Sequence, residues 1–93
     1  MNSKAKIIPN TCFTTRNFDN TILLNYEDDL YFGLDKIGSE YWELIQEYKD
    51  FDMVVDNMLS KYPNVSREEI KTDLNELIFK MVDKGLIRVE RHD

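Results

Sequence analysis

Between Thr11 and Leu34 the chain carries short runs of Thr, Phe, Ile, Leu and Tyr, separated by polar clusters at 17–20 and 27–29. Such runs between turn-forming clusters predict strands. Phe18-Asp19-Asn20 suits a hairpin turn, because Asp and Asn tolerate the left-handed backbone that tight hairpins need. The pattern predicts a three-stranded antiparallel meander at about 11–17, 20–26 and 29–34. In its last run Leu30, Phe32 and Leu34 alternate with Tyr31 and Gly33, which puts three large apolar groups on one face, expected to be the core face. The first and third strands are then the edges, each with an unpaired row of N–H and C=O groups.

From Asp35 onward the period becomes helical. Ile37, Tyr41, Leu44, Ile45 and Tyr48 recur at helical spacing and predict a helix over about 37–49 that also carries Trp42. Val55, Met58, Leu59 and Tyr62 predict a second helix, with Asp50 or Asp52 as its cap and Pro63 near its end. Ser66-Arg67-Glu68-Glu69 has the form of a capping box and opens a third helix, running from about Arg67 to Lys84 and stopped by Gly85. Ile70, Leu74, Leu77 and Met81 form its central stripe, with Ile78 and Val82 on one flank and Asp73, Lys80 and Lys84 on the other. Leu86-Ile87-Arg88-Val89 then alternates like a short last strand or extended tail, and residues 1–8 and 90–93 read as frayed. The expected architecture is α+β: one domain over 1–93, ordered at about 9–89, with a three-stranded antiparallel β-meander followed by three α-helices in a winged helix-turn-helix arrangement.

Composition narrows the function. A chain of 93 residues holds one hydrophobic core and no second lobe to close over a substrate, which argues against an independent enzyme. The net charge of −6 speaks against a nucleic-acid or anionic-membrane partner, since both require a cationic footprint. The third helix sets Arg67, Lys71, Lys80 and Lys84 against Glu68, Glu69, Asp73, Glu76 and Asp83, so a major groove would repel it and a winged-helix regulator is disfavoured. The lack of an apolar run of membrane length or a signal-like N-terminus makes a cytoplasmic location the expectation.

Side chains that could carry chemistry are few. Cys12 is the one cysteine and His92 the one histidine, the latter beside the C-terminus, so neither a disulfide nor a structural zinc site is expected. The carboxylates at 27–29 and at Glu68-Glu69 fit a turn and a helix first turn better than a metal site, and Gly33, Gly38 and Gly85 are too isolated for a phosphate loop. No catalytic residue, metal or cofactor is expected. Tyr41, Trp42 and Tyr48 read as core volume, whereas Phe79 lies opposite the central stripe, either incidentally or as part of a docking surface.

Leu30-Tyr31-Phe32-Gly33-Leu34-Asp35-Lys36-Ile37-Gly38, with Trp42 beyond it, resembles the hallmark of the PqqD-like family, the RiPP recognition elements. Asp73-Leu74, Leu77-Ile78, Met81-Val82 and Gly85-Leu86-Ile87 are similar to the family's last helix and exit. The wording Phe-Gly-Leu-Asp is most like the standalone members of lasso-peptide biosynthesis; the alternative is the peptide chaperone of pyrroloquinoline quinone biosynthesis. The resemblance implies that the leader segment of a ribosomally made precursor adds as a strand to the third strand and packs on the last helix. Carried over, the strand side of that site is Asp29, Leu30, Tyr31, Phe32, Gly33 and Leu34. The helix side is Ile70, Asp73, Leu74, Leu77 and Lys80, although periodicity leaves open which flank faces the groove. The implied protein partners are a cysteine protease that removes the leader and, downstream, a cyclase; alone, the chain is expected to be a monomer.

Overall fold

Among the described residues the strands of the N-terminal third contribute to two antiparallel sheets rather than one. The computed structural model describes residues 5–10, 14–18, 21–27 and 30–91. The expected meander is there: β2 (Thr14–Phe18), β3 (Thr21–Glu27) and β4 (Leu30–Leu34) pair in that order. Ile22 faces Leu34 and Leu24 faces Phe32 across β3 and β4, with a register shift between Asn25 and Glu27. Ile22, Leu24 and Leu34 are buried and Phe32 packs against the core, so the alternation does select the inner face. The hairpin turn expected at 18–20 and the start of the first strand at 11–13 extend outside the described residues, as do Cys12, Asp29 and His92.

The second sheet corrects the expectation of frayed ends. β1 (Ala5–Pro9) pairs with β5 (Ile87–Arg91) from Ala5↔Arg91 to Pro9↔Ile87, so order extends beyond 9–89 at both ends. Ala5 and Ile7 are fully buried. Their alternation is too short to stand out in the sequence, and the strand that completes it lies at the far end of the chain.

Three helices follow the meander: α1 (Lys36–Tyr48), α2 (Phe51–Lys61) and α3 (Arg67–Asp83). Each starts at a side-chain cap that satisfies a free backbone N–H. Asp35 accepts from Gly38 N at 2.7 Å, Asp50 from Met53 N at 3.1 Å and Ser66 Oγ from Glu69 N at 3.1 Å. α1 ends on Lys49, held at a left-handed φ of 54°, and Gly85 takes a φ of 74° just beyond α3, as its lack of Cβ permits. The core gathers Trp42, Phe51, Met58, Leu74, Ile78 and Met81 with both sheets around it. Burial of each such side chain contributes roughly 1.5–3 kcal/mol.

Candidate functional site

The position of α3 decides the site. Its buried residues are Ile70, Leu74, Ile78 and Met81. Ile78 therefore takes the central place that the periodicity gives to Leu77, which is half-buried at the side of the stripe. That rotation points the Asp73/Leu77/Lys80 flank toward β4, and it puts Phe79, which is 78% exposed, and Val82 on the other side.

Between this flank and β4 lies a groove of about 530 Å³. Phe32, Gly33, Leu34, Asp35, Ile37 and Gly38 line its strand side, Tyr41 its floor, and Asp73, Glu76, Leu77 and Lys80 its helix side. Among the described residues β4 is hydrogen-bonded to β3 alone, so its other edge is unpaired. An extended peptide backbone can hydrogen-bond to such an edge while alternate side chains enter the groove.

Two local contacts and one long-range bond hold this geometry. Ser39 Oγ donates to Leu34 O at 3.2 Å, which fixes the end of β4 against the start of α1. A Cβ on Gly38 would meet Asp35 Oδ1 at 3.2 Å and Leu34 Cδ2 at 3.3 Å, so a larger residue would press on the cap and on the strand end together. Tyr41 OH donates to Ile70 O at 3.4 Å and ties α1 to the first part of α3. Burial pushes the Tyr41 hydroxyl up to about 12, and the nearby Asp73 charge adds to the rise, so Tyr41 stays a neutral donor at physiological pH.

The structure brings Phe32, Gly33, Leu34, Asp73, Leu77 and Lys80 together, six of the residues the resemblance implies. Tyr31 is 54% exposed on the same strand, and only the backbone of Leu30 is described. Ile70 and Leu74 are 2% and 0% exposed and sit in the core beneath the groove rather than in its wall. Asp35, Ile37, Gly38, Tyr41 and Glu76 also line the groove, beyond the residues the resemblance implies. Ile37 and Tyr41 look like one helical core stripe in sequence, yet Ile37 is 39% exposed. The available signal was their place within or next to the 30–38 hallmark. Among the described residues no group of three or more His, Cys, Asp or Glu side chains could hold a metal ion. No described helix is long and apolar enough to cross a membrane.

Residues 20–87 match the model of the PqqD family, described as coenzyme PQQ synthesis protein D. The chain belongs to the PqqD family. That agrees with the resemblance carried by 30–38 and by the last helix. A solved structure similar to this PqqD-family chain is that of TbiB1 in complex with the TbiA(beta) leader peptide. The likeness has a TM-score of 0.79 at 26% identity, over 92% of this chain and 99% of that one. No curated protein is similar to it in sequence. The PqqD match spans β3 through the start of β5, and so includes both walls of the groove.

Proposed function

We propose that this chain is a non-catalytic adaptor that binds the leader segment of a ribosomally synthesised precursor peptide by strand addition to β4. The observation that carries the reading is the unpaired edge of β4 facing the Asp73, Leu77 and Lys80 flank of α3 across one groove. Backbone hydrogen bonds along 29–34 supply affinity, and side chains seated against Leu77 and Phe32 supply selectivity. Asp73 and Glu76 near one another and Lys80 beyond them give the groove a polar direction, which orients the incoming strand. The similar TbiB1 structure holds a leader peptide, which supports the same role for this groove.

In this reading α2, α3 and β5 form the helix-turn-helix and wing of a winged-helix outline put to peptide binding, and the protein works in the cytoplasm as a monomer at low concentration. It delivers the precursor to a leader-cleaving cysteine protease and then to a cyclase in lasso-peptide biosynthesis, by raising the local concentration of the cleavage site and of the core peptide. Phe-Gly-Leu-Asp at 32–35 favours this pathway, and the near-complete coverage of TbiB1 favours a leader-binding role. The family description supports a second reading, a peptide chaperone of pyrroloquinoline quinone biosynthesis.

The test is a fluorescence-polarisation titration with synthetic leader segments from precursor-like reading frames beside the gene, a scrambled control, and the Leu77→Asp variant. Saturable binding of one leader, lost on scrambling and weakened in a folded Leu77→Asp protein, is the expected result. A chain that binds none of them is not a leader adaptor.

A further inference from the structure

The opposite flank of α3 carries a second groove beside a second open strand. It measures about 900 Å³ and is lined by Asn75, Ile78, Phe79, Val82, Ile87 and Val89, with Arg88 at its rim. Phe79 and Val82 are 78% and 44% exposed there. Asn75, whose Oδ1 is buried without a hydrogen-bond partner, belongs to the wall of this groove.

The free edge beside that groove belongs to β5, which among the described residues is hydrogen-bonded only to β1. Its phase follows from two bonds. Asn10 N donates to Leu86 O at 2.9 Å, and Ile7 N turns away from β5 to donate to Lys49 O at 3.0 Å. Groups alternate between the two sides of an antiparallel strand, so Arg88 and Glu90 direct their backbone groups to β1, whereas Ile87, Val89 and Arg91 direct theirs outward. Val89 is the middle residue of this strand.

The geometry points to a second copy of this chain as the occupant, its β5 pairing antiparallel with β5 about a two-fold axis through Val89. That register satisfies every outward group of Ile87, Val89 and Arg91 at once. It sets Arg88 opposite Glu90 of the second copy, and Glu90 opposite Arg88 of that copy, on the solvent face. Within one chain Arg88 Nε lies 3.4 Å from Glu90 Oε2, so both charges already share that face. On the inner face each Val89 enters the apolar groove of the other copy, where it meets Phe79. An unrelated strand would match the open edge equally well, but the alternation Arg88-Val89-Glu90 is complementary to itself, and this favours a second copy. The resulting four-stranded sheet leaves the β4 groove open in both copies, because the two grooves lie on opposite flanks of α3.

The experiment is sedimentation equilibrium of the full chain, with Arg88→Glu, Glu90→Arg, the Arg88→Glu/Glu90→Arg double variant, and Phe79→Ser. As concentration rises from about 5 to about 500 μM, the average mass of the unsubstituted protein should climb from one chain toward two. Each single charge reversal should weaken association by roughly tenfold or more, because it turns two attractive cross-strand pairs into two repulsive ones. The double reversal restores opposite charges and should recover association; Phe79→Ser should weaken it. Circular dichroism checks that each variant folds. A protein that stays monomeric throughout overturns the proposal and leaves the β5 edge to a different partner. Association that ignores the single reversals, or that the double reversal does not restore, also overturns it.

Discussion

The two flanks of α3 meet their neighbouring strands on different terms. Toward β4 the helix presents Asp73, Glu76 and Lys80 around the half-buried Leu77, and the smaller groove has a charged rim. Toward β5 it presents Phe79 and Val82 beside the buried Ile78, and the larger groove is chiefly apolar. Among the described residues both lie beside an unpaired strand edge. A charged rim can discriminate among incoming strands and fix their direction, since a reversed strand would place its charges against like ones. An apolar groove has no such means, so any selectivity beside β5 has to come from the strand itself, through Arg88 and Glu90. One helix can therefore serve two strand partners because its side chains alternate between two chemistries around a shared buried stripe.

The change expected to damage both flanks lies under them. Leu74→Ala should cost about 2–5 kcal/mol of unfolding free energy in a urea titration, because Leu74 is fully buried in that stripe. If the loss is below about 1 kcal/mol, α3 is not the common support of the two grooves. Leu77→Asp should separate the flanks, raising the leader dissociation constant by roughly thirtyfold or more while Phe79→Asp leaves it within about twofold. Equal effects of the two substitutions would show that the leader does not distinguish the grooves. Lys80→Ala should have a smaller effect, about three- to fivefold, and one that shrinks as salt is added, as expected for a rim charge. Salt-independent loss would place Lys80 in a structural role instead.

The smallest effect concerns the contact between β1 and the N-terminus of α2. Lys6 Nζ donates to Asp50 Oδ2 at 2.7 Å, and this bond holds the Asp50 carboxyl below its ordinary value of 3.8. The depressed value means that the contribution is complete above the unfolded pKa and is lost as pH falls from about 4 through the folded one. Asp50→Asn retains a capping side chain, so it should remove only this acid-dependent part, a few tenths to about 1 kcal/mol at neutral pH. Unfolding curves of the two proteins should converge toward low pH. Curves that stay parallel down to about pH 2 would mean that the pair adds nothing.

Much of this arrangement could be read from residue order. The switch from alternation to helical spacing at Asp35, the Ser66 cap and Gly85 all signal local backbone conformation, and local signals need no knowledge of the rest of the chain. Two features escaped. Ala5 and Ile7 make a strand only because residues 87–91 lie beside them, a contact that leaves no trace in a window of a few residues. The rotation of α3 depended on whether Leu77 or Ile78 points inward; both are apolar, and packing against α2 and β5 decides it. The same choice settled which flank faces β4. The groove was thus legible in Phe32, Gly33 and Leu34 of the strand and in Asp73, Leu77 and Lys80 of the helix, while Ile70 and Leu74 belong to the core.

The pairing of Ala5 with Arg91 also governs how the molecule bears load. β1 enters and β5 leaves at the same end of an antiparallel ribbon, so a tension applied through the two chain ends falls on one pair of residues at a time. The ribbon should peel like a zip at low force, with the bonds from β1 to Lys49 and Asp50 sharing the strain before the meander does. A pull applied through Ala5 or Arg91 enters at that common corner and reaches the ribbon before the groove on β4.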